Sequence, residues 1–311
     1  MNAADGSTTE APTVAVLGLG AMGLPMASRL SSDFPVRAFD IHPERRAEAE
    51  ERGATGCATA VDAVDGADVV VVAVRDRGQL DDLLWGAAGI AGALQPGAAI
   101  VLTSTIGVPD VEAVATRLAE ETSTLLVDAP VSGGPARAGA GDLLVTVGAT
   151  DEGWSRALPV LEALSGTLTR MGDAPGAGQA MKTVNQLLCG VHIAAAAEAL
   201  ALADALGLDP QAALDTLMAG AAASFMLGDR GPRALQAYDD GGAEVRSRLD
   251  IFVKDLGIVG TAARGAGLAA PVAAAAEQLF LLGQGQGKGA DDDSSVITVL
   301  SPERRTDRPA S

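Results

Sequence analysis

Between Thr13 and about Arg170, short β-branched runs alternate with longer segments whose apolar positions recur at helical spacing. That alternation is the signature of βαβ units, which place a parallel sheet between helices. The runs predict strands at 13–17, 36–39, 69–74, 99–103, 125–128 and 143–147. Helices between them are marked by their starts: Pro43 opens one, Asp110 caps or enters another, and Asp151 begins a third that carries Trp154 and Leu158. After Arg170 the β-branched runs stop, and from Pro175 the text reads as successive helices with breaks at 207–210, 228–232, 239–242 and 265–271. The change of period predicts two domains, 1–172 with the sheet and 173–311 all helical, with a charged, proline-containing end at 301–311 that frays.

Composition narrows the class. The chain has 311 residues, 48% hydrophobic and 3% aromatic, which is enough apolar material for two cores. A net charge of −18 repels phosphate backbones and anionic lipid headgroups, so neither nucleic acid nor a membrane surface is an expected partner. An anionic substrate therefore needs local cations. The most apolar helical stretch, 191–203, is interrupted by His192 and Glu198, and Met1 to Glu10 lacks the basic start and apolar run of a signal peptide. Cys57 and Cys189 fall in different predicted domains and read as free thiols of a reducing compartment. The expectation is a cytoplasmic protein.

Gly18-Leu19-Gly20-Ala21-Met22-Gly23 stands directly after the first predicted strand and before a helix pattern from Leu24. In that context the first glycine allows a tight turn, the second lets backbone approach a pyrophosphate, and the third lets helix pack on strand. Asp40 closes the next strand, where an acid accepts hydrogen bonds from ribose hydroxyls and repels a 2′-phosphate; NAD is thus favoured over NADP. Asp40 also reads as a turn residue in Asp-Ile-His-Pro. Arg45 and Arg46 leave room for NADP, although their place in the next helix reads as a solvated face. The fold class predicted is α/β: an N-terminal Rossmann domain with a doubly wound, mostly parallel sheet, followed by a second, all-α domain.

Lys182, Asn185, Cys189 and His192 follow one another at spacings of three, four and three, which sets them on one helix face. A lysine among Ala, Val and Leu either points to solvent or lines a cleft. In a cleft beside a nicotinamide it can do acid–base work, because desolvation and a neighbouring cation bring an ammonium's pKa toward the operating range. A lone histidine on an apolar face is more often a satisfied core residue.

Four separated motifs in order carry a resemblance to a known family: 18–27 around the glycines, Asp128-Ala129-Pro130-Val131-Ser132-Gly133-Gly134, Gly176-Ala177-Gly178 with Lys182 and Asn185, and Lys254-Asp255-Leu256-Gly257. Over nearly its whole length the chain resembles the β-hydroxyacid dehydrogenases, which include 3-hydroxyisobutyrate dehydrogenase and tartronate semialdehyde reductase. The resemblance implies that Lys182 is the general acid/base, that Ser132, Gly133 and Gly134 cradle the substrate carboxylate, and that Asn185 orients substrate. It further implies that Thr105 touches the cofactor and that Lys254 reaches it near the nicotinamide. Backbone N–H groups at 131–134 suit a carboxylate, and Lys254 supplies the local cation that an anionic substrate needs in a chain of net charge −18. No metal is expected. The chain departs from the family after strand 69–74, where Arg75-Asp76-Arg77 replaces a Leu-Pro pair. Stretches at 186–194, 250–255 and 287–297 are similar to the L-threonate dehydrogenase branch, although that branch has histidine at the position of Asn185.

The function expected is hydride transfer between NAD and a small hydroxy acid, L-threonate first, with 3-hydroxyisobutyrate or tartronate semialdehyde as alternatives. A longer polyol tail calls for hydrogen-bond partners, and His192, 224–226 and 292–295 are the candidates. A catalytically silent NAD-binding sensor is the reading from another class, and the presence of Lys182 distinguishes against it. Ala-rich helix at 193–206 fits a homodimer or homotetramer interface as well as an intramolecular core.

Overall fold

The structure, a computed structural model, describes residues 11–304, so the readings made for Met1 to Glu10 and for 305–311 lie outside the described residues. Tertiary contacts divide the chain into two compact units, Met1–Lys182 and Thr183–Ser311.

The first unit is built on a nine-stranded sheet. Its strands are β1 (Val14–Leu17), β2 (Val36–Phe39), β3 (Thr55–Gly56), β4 (Val69–Val72), β5 (Ala99–Leu102), β6 (Leu125–Asp128), β7 (Val131–Ser132), β8 (Leu143–Gly148) and β9 (Ser165–Gly172). The order is β3-β2-β1-β4-β5-β6-β8-β7, with β9 beside β8. The run from β3 to β6 is all parallel, β8 lies antiparallel to both β6 and β7, and β9 returns parallel to β8. This is the doubly wound order, reversing direction between β1 and β4.

Helices cover both faces. They are α1 (Gly23–Leu30), α2 (Pro43–Glu51), α3 (Ala60–Val64), α4 (Arg77–Trp85), α5 (Val108–Glu121), α6 (Gly134–Ala140) and α7 (Asp151–Leu164). Because side chains alternate along a strand, Val14, Val16, Val69, Val71 and Val101 meet α1 and α7 through Met26, Leu30 and Val160. Ala15, Leu17, Val70, Val72 and Ile100 meet α4 and α5 through Leu80, Val111 and Val114. Burial on both faces is why β1, β4 and β5 read as unbroken apolar runs. The strand β9 has no such run: its residues are exposed or half-buried, so Ser165–Gly172 carried no strand signal.

The helix α8 (Ala177–Ala205) runs through the change of unit. It is the one described helix long and apolar enough to cross a membrane by length and composition, with a mean hydropathy of 1.6 over its most apolar window. The second unit continues with α9 (Pro210–Met218), α10 (Phe225–Gln236), α11 (Leu249–Gly265), α12 (Pro271–Gly285) and α13 (Ile297–Leu300). Ile193, Ala197 and Leu200 of α8 enter its core, where Phe252 and Phe280 stack with ring centres 5.3 Å apart. Leu202 on the same helix and Leu206 just past its end stay exposed.

One predicted break is wrong. Residues 228–232 lie inside α10, with Pro232 in its interior. A proline there removes a backbone hydrogen bond, but the glycines before it are used for packing: a Cβ on Gly231 would fall 2.5 Å from Leu214. The actual interruption is at 219–224, an Ala-rich stretch that reads as helix. It ends where Ser224 caps α10 by accepting from the Leu227 N–H.

Candidate active site

The glycine turn has the form its spacing predicts. Gly18 has φ +89°, its N–H donates to Phe39 O, and a Cβ there would lie 2.7 Å from Ala73 O. On Gly23 a Cβ would fall 1.7 Å from Gly18 O, so the start of α1 closes on the end of β1 only with glycine. Gly20 is different: nothing lies within 4 Å of where its Cβ would be. Its bare backbone, with Leu19 and Ala21, borders an open cavity of about 510 Å³ that Arg45, Arg52 and Pro135 also line. A backbone turn open on one side, ahead of a helix N-terminus, fits a pyrophosphate.

Asp40 is almost wholly buried. Its Oδ2 accepts from Leu19 N at 2.7 Å and its Oδ1 from His42 N at 2.9 Å, so the acid ties the end of β2 to the glycine turn. Arg45 brings its guanidinium to 3.4 Å from Asp40 Oδ2. The reading of Arg45 and Arg46 as a solvated face holds in part, since Arg45 keeps 42% of its side chain exposed while making this pair. Since α2 begins at Pro43, Arg45 sits in its first turn beside the acid, and Arg46 lies over the Phe39 ring and donates to Ala58 O.

Further along the sheet edge, Thr105 is half-buried between β5 and α5. Where the family carries a Leu-Pro pair, Asp76 caps α4 by accepting from Gln79 N, and Arg77 pairs with Asp81 and Asp110. Ser132 ends β7, while Gly133 and Gly134 have φ +142° and +78° and lead into α6; nothing lies within 4 Å of a Cβ on Gly134.

Lys182 is 8% exposed, near the start of α8, and is the last residue of the first unit. That helix start is pinned by Asp128 at the end of β6. Asp128 is fully buried, and its Oδ2 accepts from Gly176 N and Gln179 N, each at 2.9 Å. Burial pushes the Asp128 carboxyl above the usual carboxylate range, against the pull of these N–H donors and the Gln179 side chain. Neither Asp128's role nor Gln179 was recognised from the sequence. The available signal was a glutamine in the first turn of an otherwise apolar helix.

Asn185 and Lys254 belong to the second unit. Asn185 is half-buried and donates to Gln186 Oε1 and Cys189 Sγ. Lys254 pairs with Asp255 at 3.0 Å, and Asp255 also accepts from Gln186, which joins α11 to α8 beside both residues. The expected cation thus enters as half of an ion pair. The proposed use of 292–295 for a polyol does not survive: Asp292 and Asp293 are fully buried and bound to Arg233 and Arg230.

Comparison with known proteins identifies the family. Residues 13–172 match the NAD-binding domain of 6-phosphogluconate dehydrogenase, and residues 176–300 match the NAD-binding family of NADP-dependent 3-hydroxyisobutyrate dehydrogenase. L-threonate dehydrogenase of Cupriavidus necator is 42% identical over 92% of this chain and 95% of its own. The chain belongs to the 3-hydroxyisobutyrate dehydrogenase-like family. L-threonate dehydrogenase of Escherichia coli K12 is 37% identical over 93% of this chain and 94% of its own. A crystal structure of 3-hydroxyisobutyrate dehydrogenase from Salmonella typhimurium superposes with a TM-score of 0.85 at 35% identity, covering 92% of this chain and 99% of that one. The protein is an NAD(P)-dependent hydroxy-acid dehydrogenase.

Proposed function

We propose that this dehydrogenase oxidises L-threonate, or a stereochemically related four-carbon sugar acid, at the C2 hydroxyl to the 2-oxo acid, using NAD in preference to NADP. The observation that carries the substrate is the run of L-threonate dehydrogenases among its relatives, each aligned over nearly the whole chain. A nicotinamide dinucleotide held at the Gly18–Gly23 turn would supply the hydride acceptor. Lys182 Nζ takes the hydroxyl proton, and the Ser132–Gly134 turn supplies backbone donors to the substrate carboxylate. Asn185, three residues along α8, and Lys254 enter through the family resemblance, orienting substrate and reaching the cofactor. Gly18 to Gly23 hold the pyrophosphate, Asp40 the ribose, and Thr105 touches the cofactor. The enzyme works in the cytoplasm as a homodimer or homotetramer.

The substrate is tested by comparing kcat/KM for L-threonate with D-threonate, the erythronates, glycerate and 3-hydroxyisobutyrate. A site built to satisfy extra hydroxyls penalises a methyl-bearing acid, because its polar groups lose partners. A clear win for glycerate or 3-hydroxyisobutyrate removes threonate and leaves the lysine chemistry standing. The cofactor preference is tested separately. Asp40→Ser is expected to raise NADP use relative to NAD by about tenfold or more, since the repelling carboxylate goes and Arg45 beside it becomes a partner for the 2′-phosphate. A native enzyme that already favours NADP contradicts the role given to Asp40.

A further inference from the structure

The side chain of Gln179 is fully buried, yet it makes four hydrogen bonds. Its Oε1 accepts from Ile106 N and Gly107 N, each at 3.0 Å. Its Nε2 donates to Ser104 O at 3.0 Å and to Asp128 Oδ1 at 2.9 Å. One amide thus grips the backbone on both sides of Thr105. It does so from the first turn of α8, three residues before Lys182, while Asp128 holds that turn by two further N–H groups. The helix start has no slack: a Cβ on Gly178 would lie 2.7 Å from both Asp128 O and Thr146 O.

We propose that Gln179 is a positioning residue that locks the Thr105 turn to the first turn of α8 and so fixes where Lys182 stands relative to the cofactor side of the site. The inference rests on the roles given above to Lys182 and Thr105. An apolar helix start packed on a sheet slides at little cost, whereas a buried amide with every donor and acceptor used has one low-energy arrangement. Misplacing a reacting group by about 1 Å costs on the order of a hundredfold in rate, so this lock acts on turnover more than on binding.

The test compares Gln179→Met, which keeps the volume and loses all four bonds, in the native and Lys182→Ala backgrounds. Expected for the native background is a fall in kcat of about 10- to 100-fold with substrate KM and NAD affinity, followed by protein fluorescence, within about threefold. The Ile106 and Gly107 amide protons are expected to exchange faster with solvent, a readout independent of catalysis. In Lys182→Ala the same substitution costs little more, because the group it positions is gone. If Gln179→Met unfolds the protein, Gln179→Glu changes one atom, removes the two donated bonds and carries the same comparison. Turnover within twofold of native, or an equal fold-loss in both backgrounds, overturns the proposal. Native turnover in Lys182→Ala alone instead removes the assignment of the lysine beneath it, so the two failures are told apart.

Discussion

Replacing Lys182 by alanine lowers turnover by about two to four orders of magnitude, the usual worth of a positioned general acid/base, and leaves NAD affinity near its native value. The expectation follows from where the residue stands. A lysine 8% exposed gives up most of its hydration, and fold stability alone favours an apolar residue at such a place. Its helix start is instead anchored through Asp128 and Gln179 to the loop carrying Thr105, an arrangement that holds one geometry. Lys182→Arg separates charge from proton transfer, since a guanidinium keeps the charge but does not release a proton. It is expected to fall nearly as far as the alanine variant. Single-turnover measurement of nicotinamide reduction, alongside NAD titration, checks both; near-native turnover in either variant removes Lys182 from proton transfer.

Asp292→Ala is expected to destabilise the second unit by about 3–5 kcal/mol, a large share of the total stability of about 5–15 kcal/mol usual for a domain. Asp292 is fully buried, and five donors converge on it: Arg233 Nε, Ser294 N and Oγ on one oxygen, Arg246 N and Ser247 N on the other. Burial alone raises its pKa, but the Ser294 hydroxyl, the Arg246 N–H and the Arg233 guanidinium outweigh it and hold the carboxyl below the usual range. With the folded pKa lowered, this stabilisation is present at neutral pH and is lost as pH falls through the folded value. Alanine leaves the buried Arg233 without that partner and strands the backbone donors. Arg233→Met is expected to cost less, because Asp292 keeps four donors. Denaturant melts at neutral pH order the two variants; an arginine loss as large as the aspartate loss contradicts the account of Asp292 as the hub.

The ordering of elements was legible because the first unit obeys local rules. Buried parallel strands are continuous apolar runs, a Gly-rich turn between strand and helix admits few backbone paths, and an acid ending β2 follows from the same geometry. Lys182 stood out because a charge on an apolar helix is costly wherever it goes. These signals lie within a few residues of one another, so the sequence by itself determined the α/β class, the dinucleotide turn and the candidate lysine. What it did not contain was partnership across long separations. Nothing near Gln179 says that its amide will bridge Ser104, Ile106 and Asp128, and nothing near Asp292 says that Arg233 will meet it, which took the polyol role away from that stretch. Pro232 stayed inside a helix because Gly231 packs on Leu214, and β9 formed because β8 offered it an edge. The reason is common to Gln179, Asp292 and β9. A buried polar group or an edge strand is satisfied by whichever group the fold brings to it, and that identity is fixed only when the chain has closed around it.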